Sequence, residues 1–236
     1  MIAAAPATAI IAAAGSGERL GAAGPKAFAP LAGRPLLEWS LDAFRRAGSV
    51  GPIVVAVPPG HAGELGDDVV AVAGGEHRSQ SVAAALERVE TELVAVHDAA
   101  RPLVTAELID ALVEKLASRP DAAAVIAAAP LTDTVKRARE PRPVRGEVPR
   151  GGPTVAQTLS RDHLWAAQTP QVFRTAALRE ALDADPQRIA AATDDAMLVE
   201  KAGGKVLMHE SPAENLKVTT ELDLRVAELL LAERRA

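Results

Sequence analysis

The stretch AAAGSGERLGAAGPKAF, residues 12–28, sets four glycines, two basic residues and a proline directly after the apolar run Ala9 to Ala14. A strand that runs into a glycine loop points to an α/β fold with a phosphate site, because unpaired backbone N–H groups can face an anion there. Spacing separates the kinds of loop. A dinucleotide fingerprint needs G-x-G-x-x-G, whereas Gly15, Gly17 and Gly21 give G-x-G-x-x-x-G, with Glu18 and Arg19 where a helix should open beside the pyrophosphate. A Walker loop needs G-x-x-x-x-G-K-[ST], whereas Gly24 is followed by Pro25, Lys26 and then Ala27, which has no hydroxyl for magnesium. What remains is a loop that wraps a triphosphate with Arg19 and Lys26 as charge partners. Two basic residues merely solvated in a surface loop stay an alternative at this point.

Outward from the loop the same rhythm recurs. Thr8 to Ala14 reads as the first strand, and further runs follow at residues 52–58 (PIVVAVP), 69–74 (VVAVAG), 92–97 (ELVAVH), 122–130 (AAAVIAAAP) and 205–210 (KVLMHE). Helix-period segments lie between them at Pro35 to Ala47, with Leu36, Leu37, Leu41 and Phe44 inward, and at Ser79 to Val89, Ala106 to Leu116 and Asp194 to Ala202. The segment 221–235 places Leu222, Val226, Leu229 and Leu230 on one stripe, expected to close the domain as a surface helix. Strands alternating with helices predict an α/β fold, a mostly parallel central sheet flanked by helices, in a single domain over residues 1–236. Residues 139–165 break the rhythm with Pro, Gly and Arg. Arg139 to Gly152 reads as a solvated loop, and Thr154 to Trp165 as an extended arm that returns to the body.

Composition narrows the function. A net charge of −5 argues against a broad grip on nucleic acid, so any nucleotide bound is a small one. The sequence has no cysteine, which removes disulfides and thiolate metal sites and fits a cytoplasmic setting. No apolar run reaches the length of a membrane span, and the apolar N-terminus lacks the basic region of a signal peptide. With aromatics at 2%, the core must be built from small aliphatics that allow close helix-on-sheet packing. His61, His77, His97, His163 and His209 have no zinc-like spacing, and no nucleophile with a marked base is present.

Several segments carry groups suited to a nucleotide and a phosphorylated acceptor. Asp98 follows the apolar run 93–96, where strand ends face the ligand crevice of an open α/β sheet, and offers a hard oxygen to a metal; a turn or cap residue is the plain alternative. Gly74 and Gly75 permit close backbone approach to a base, and Ser81 can hydrogen-bond to one. Asp194 and Asp195 are most simply the N-cap and first turn of a helix.

AAAGSGERL with PKAF (25–28), VHDAARP (96–102), TDTVK (132–136), QTPQVF (168–173), TDDA (193–196) and NLKVT (215–219) together resemble the cytidylyltransferases that act on 2-C-methyl-D-erythritol 4-phosphate in the non-mevalonate isoprenoid pathway. The resemblance runs from about residue 8 to 228. It implies a Rossmann-like nucleotidyltransferase domain with a projecting arm at about residues 132–165, a homodimer formed through that arm, and CMP transfer from CTP to the acceptor with loss of pyrophosphate. Ala13, Ala14, Gly15, Ser16, Gly17, Gly75, Glu76, Ser81, Asp98 and Ala99 would then bind the nucleotide, and Arg19 and Lys26 would neutralise the transition state. Arg161 and Lys217 would hold the acceptor's phosphate, with Arg101, Thr134, Lys136, Thr169 and Thr193 near the acceptor, and Arg161 could serve the partner's site. Asp98 would carry Mg2+ or another divalent cation. Family members often have Asp where Glu76 stands and Glu where His77 stands, which puts the side-chain part of base reading in question. Two further readings stay open: a cytidylyltransferase for another sugar-alcohol phosphate such as ribitol 5-phosphate, and a nucleotide-binding module without turnover.

Overall fold

Short aliphatic runs buried on both faces build the centre of the molecule. The computed structural model describes residues 6–15, 24–139, 153–183 and 189–234. In chain order the strands are β1 (Ala7–Ala12), β2 (Pro30–Leu31), β3 (Arg34–Pro35), β4 (Val50–Val57), β5 (Val70–Ala73), β6 (Leu93–Asp98), β7 (Ala124–Pro130), β8 (Lys136–Arg139), β9 (Thr154–Thr158), β10 (Trp165–Arg174) and β11 (Val206–Glu210). The helices are α1 (Leu36–Arg46), α2 (Arg78–Leu86), α3 (Ala106–Ala117), α4 (Thr175–Leu182), α5 (Asp195–Lys201) and α6 (Glu221–Glu233).

Seven strands form one sheet in the order β11-β7-β10-β6-β1-β4-β5. β6, β1, β4 and β5 run parallel, as do β11 and β7, and β10 alone is antiparallel to both neighbours. Alternation along β1 divides its side chains between two layers. Ala9 and Ile11 pack with Leu37, Leu41 and Phe44 of α1 and with Ile109 and Leu112 of α3. Ile10 packs on the other face with Val82 and Leu86 of α2, Leu178 of α4 and Val199 of α5. The chain reverses its direction of strand addition at β1, which has β4 on one side and β6 on the other, so a crevice opens at the carboxyl ends of β1 and β6. Ala12 pairs there with both Ala56 and Asp98.

The six expected strands and five expected helices are all present within a few residues of their predicted bounds. In the main sheet and its helix layers β10 and α4 went unread, and outside them the short strands β2, β3 and β8. β10 is broken in register between Ala167 and Gln171, where Gln168, Thr169 and Pro170 interrupt any alternation. The face of α6 is a correction. Leu222 and Leu229 are 68% and 67% exposed, and the helix buries Ala227 and Leu231 against Leu31, Leu36, Leu103 and Val218. Apolar residues occur on more than one side of α6, and the small Ala227 permits the closer approach. β8 and β9 form a separate antiparallel hairpin whose residues are all exposed. No helix among the described residues is long and apolar enough to cross a membrane.

Candidate active site

The opening loop leaves the end of β1 and is closed at its base, where the Lys26 N–H donates to the Gly15 carbonyl at 3.2 Å. Pro25 leads into a single 3-10 turn, Lys26–Phe28. Ser16, Gly17 and Arg19 lie outside the described residues. Facing the loop, the turn after β5 packs so tightly that a Cβ on Gly74 would meet the Ala14 Cβ at 2.3 Å and the Ser81 Oγ at 2.9 Å. The Gly75 N–H donates to Ser81 Oγ at 3.1 Å, and the Ser81 hydroxyl donates to the His77 carbonyl at 3.3 Å. Between these walls is a cavity of about 200 Å³ that brings together Ala13, Ala14, Gly15, Lys26, Gly75, Glu76, Ser81, Asp98, Ala99 and Lys217.

Asp98 is the electrostatic centre of this wall. Its Oδ2 accepts from the Lys217 ammonium at 2.7 Å, and its Oδ1 accepts from Arg78 Nε at 2.7 Å. Arg78 also donates through Nη1 to Asp195 Oδ2 at 2.6 Å. Burial works against the Asp98 charge, but the Arg78 guanidinium and Lys217 ammonium outweigh it and hold the carboxyl well below the usual carboxylate range. Asp195 shares Arg78 but has no second cation among the described residues, and burial pushes its carboxyl up. The arginine between them stays charged, its burial offset by two carboxylates.

A second cavity of about 210 Å³ lies on the other side of the same wall, lined by Arg101, Gln168, Thr169, Gln171, Thr193 and Asp194 together with Arg78, Asp98 and Lys217. Behind it, His97 fixes the loop after β6. Its Nε2 lies 3.2 Å from the Arg101 carbonyl, which can only accept, so Nε2 carries the hydrogen and Nδ1 accepts from the Thr169 hydroxyl at 3.1 Å. Thr169 Oγ1 in turn accepts from the Asp98 N–H at 3.1 Å. Full burial keeps the imidazole neutral, its pKa lowered to about 3. Arg101 spends its guanidinium on the Asn215 carbonyl at 2.7 Å and the Ala167 carbonyl at 3.4 Å, bracing the segment that carries Lys217. Asp194 caps α5, accepting from the Met197 N–H at 2.9 Å.

Thr134, Lys136 and Arg161 are exposed on or beside the β8–β9 hairpin and line neither cavity. Lys136 donates to Thr158 Oγ1 at 2.7 Å, and Arg161 donates to the Thr132 carbonyl. The motifs did not mark Arg78, His97 or Asp195 as site residues. One signal was available for Arg78: a basic residue in the first turn of a helix that has no acid there opposes the helix dipole and calls for a specific partner.

The family profile described as IspD, 2-C-methyl-D-erythritol 4-phosphate cytidylyltransferase, matches residues 7–233. The chain belongs to the IspD family. A protein of that description from Frankia casuarinae is 45% identical over 231 residues, covering 95% of this chain and 80% of its own length. One from Streptomyces coelicolor is 42% identical over 240 residues, covering 96% and 85%. The crystal structure of the Thermus thermophilus protein of that name superposes with a TM-score of 0.77 at 36% identity, covering 96% of this chain and 99% of that one. The likeness spans the whole fold, so the Rossmann-like α/β architecture of this IspD chain is that of its family.

Proposed function

We propose that the chain transfers the cytidylyl group of CTP to the phosphate of 2-C-methyl-D-erythritol 4-phosphate and releases pyrophosphate. An ionised oxygen of the acceptor's phosphate forms a bond to the α-phosphorus of CTP while the bond from that phosphorus to the bridging oxygen of pyrophosphate breaks, in line. Because the nucleophile is already ionised near neutral pH, the protein's task is positioning and charge stabilisation. The observation that carries this reading is the shared wall: Lys26, Asp98 and Lys217 line the cavity beside the glycine loop, and Asp98 and Lys217 also line the second one. CTP takes the first cavity and the acceptor the second.

Hydrogen-bond bookkeeping supports the placement of the base. Ser81 gives its hydrogen to His77 and one lone pair to Gly75, which leaves one lone pair for a donor. The amino group of cytosine is such a donor, whereas uracil presents an acceptor at the same place. In the second cavity the Thr169 hydrogen is committed to His97, so Thr169 offers an oxygen to a substrate hydroxyl and has no hydrogen for a phosphate. Lys26, with Arg19, neutralises charge at the α-phosphate, and Lys217 holds the acceptor's phosphate.

Among the described residues no group of three or more His, Cys, Asp or Glu could hold a metal ion. A divalent cation such as Mg2+ still fits, because each Asp98 oxygen has two lone pairs and spends one on a cation of the protein, and magnesium takes only one or two carboxylates beside phosphate oxygens. Asp98 would hold it, and the ion would supply neutralisation of the triphosphate.

The arm, about residues 132–165, acts as the dimerisation element in this reading. A two-stranded hairpin is marginal alone in water, and β8 and β9 are exposed along their length, Val155 at 64%. A partner would cover it, and Arg161 with Thr134 and Lys136 would then reach that partner's acceptor cavity. The absence of cysteine fits a cytoplasmic setting. The test is pyrophosphate release with a panel of nucleoside triphosphates and sugar-alcohol phosphates, with Lys26→Ala as control. CTP with 2-C-methyl-D-erythritol 4-phosphate should be the best pair, and Lys26→Ala should lose turnover by at least about 100-fold with little change in melting. Another preferred pair, or unchanged turnover in the variant, overturns the assignment.

A further inference from the structure

Lys217 faces two demands. In the proposed reaction it holds the acceptor's phosphate, yet it lies 2.7 Å from Asp98, on a side chain 42% exposed. Asp98 has a side chain only 10% exposed and cannot be left without a counter-charge when Lys217 turns away. Arg78 is the other cation on Asp98, and one planar guanidinium spans two carboxylates that lie far apart in sequence, Asp98 at the end of β6 and Asp195 at the start of α5. Asp195 is itself firmly placed. Gln171 of β10 accepts from the Ala196 N–H at 3.3 Å and donates to Asp194 Oδ2 at 2.9 Å, pinning the first turn of α5 to the sheet.

We propose that Arg78, held by Asp195, is a positioning residue that keeps Asp98 compensated and aimed between the two cavities while Lys217 moves from Asp98 to the acceptor's phosphate. A buried carboxylate with one partner would keep that partner; with two it can release the more exposed one. Asp195 is what makes the geometry independent of Lys217, since without it the guanidinium has, among the described residues, only the carboxylate it must steady as its anchor. Lysine could not replace Arg78, because a single nitrogen on a flexible stem does not span both carboxylates with fixed direction. The proposal rests on the assignment of Lys217 to the acceptor's phosphate.

Steady-state constants for both substrates test it in the full-length protein, for Arg78→Lys, Asp195→Asn, Lys217→Ala and the double variant Arg78→Lys with Lys217→Ala. Asp195→Asn keeps shape and size, so it covers the case in which Arg78→Lys fails to fold. The expected result is a rise in the acceptor's KM of about tenfold or more in Arg78→Lys and Asp195→Asn, with a clearly smaller rise in the KM for CTP, whose cavity Arg78 and Asp98 also line. In the double variant Arg78→Lys should add nothing to the effect of Lys217→Ala, because it acts through that lysine. Unchanged acceptor KM, equal rises for both substrates, or full additivity in the double variant overturns the proposal. If Lys217→Ala leaves the acceptor's KM unchanged, the assignment of Lys217 fails, and the proposal falls with it for that separate reason.

Discussion

Replacing Asp98 by asparagine separates catalytic from structural roles more cleanly than any other change in this site. Asparagine matches the shape, so the effect is that of removing one charge between Arg78 and Lys217 and of turning one acceptor oxygen into an NH2 donor, which can take the side that Lys217 vacates while the amide oxygen keeps accepting from Arg78. Stranding a buried ion by removing its partner typically costs ~3–5 kcal/mol. Neither cation is stranded here: Arg78 retains Asp195 at 2.6 Å, and Lys217 is exposed enough to turn into water. The loss of stability should therefore resemble that of a charged hydrogen bond, about 1.5–3 kcal/mol. For a chain of 236 residues each kcal/mol moves the melting temperature by roughly 2–4 °C, so the variant should melt about 3–12 °C lower. Activity should fall far more, by at least about 100-fold in pyrophosphate release, because the wall between the two cavities loses the charge that orders both cations. Thermal melts by circular dichroism and pyrophosphate release on the same preparation make the comparison. A variant with kcat/KM within about threefold of wild type would refute the reasoning that places Asp98 in the reaction. A melt lowered by much more than this range would refute the argument that Lys217 relaxes into solvent.

Acidification gives a second test. The folded His97 pKa is depressed from 6.5 to about 3, so the unfolded chain takes up a proton below 6.5 that the folded chain refuses until about 3. His97 thus contributes stability that is present above pH 6.5 and lost as pH falls towards 3, at up to about 1.4 kcal/mol per pH unit. His97→Gln should flatten the acid limb of stability relative to wild type in denaturant titrations, and an identical slope would mean that the imidazole is not buried neutral. For the arm, mixing inactive Lys26→Ala with inactive Arg161→Ala should restore part of the activity if Arg161 serves the partner's site, since a mixed dimer then contains one site with both residues intact. Pyrophosphate release that stays at the level of the separate variants places Arg161 in its own subunit's site.

The parts of the fold that could be read from sequence are those whose signal is local. β1, β4, β5, β6, β7 and β11 are aliphatic runs bounded by turns, and α1 showed its inward face in Leu36, Leu37, Leu41 and Phe44, all of them buried. On α6 the periodicity allowed more than one stripe, and only the small patch formed by Leu31, Leu36, Leu103 and Val218 decides that Ala227 and Leu231 turn inward. β10 was hidden for a different reason. It is antiparallel in a mostly parallel sheet, and its middle carries the polar Gln168, Thr169 and Gln171, which line the second cavity, with Gln171 also bonded to the first turn of α5.

The same division runs through the candidate site. The side proposed for the nucleotide is made of consecutive strand-and-loop units, so Gly15, Lys26, Gly75, Ser81 and Asp98 stand next to the elements that place them and were legible in their own segments, whereas Ala13 and Ala14 came only through the family resemblance. The side proposed for the acceptor is assembled across the chain. Arg78 reaches Asp195 over 117 positions, Lys217 reaches Asp98 over 119, and the Thr169 hydroxyl that steadies the Asp98 backbone comes from 71 positions away. No spacing rule connects such residues, and the antiparallel insertion of β10 between β6 and β7 is what brings Thr169 and Gln171 to the wall at all. Transferring the nucleotidyl group requires a triphosphate site, which a single loop and its strand can supply, and a second site held at a fixed distance from it. That distance is set by long-range pairings, so the residues that define it, Arg78 and His97 among them, acquire their meaning only when the sheet is closed.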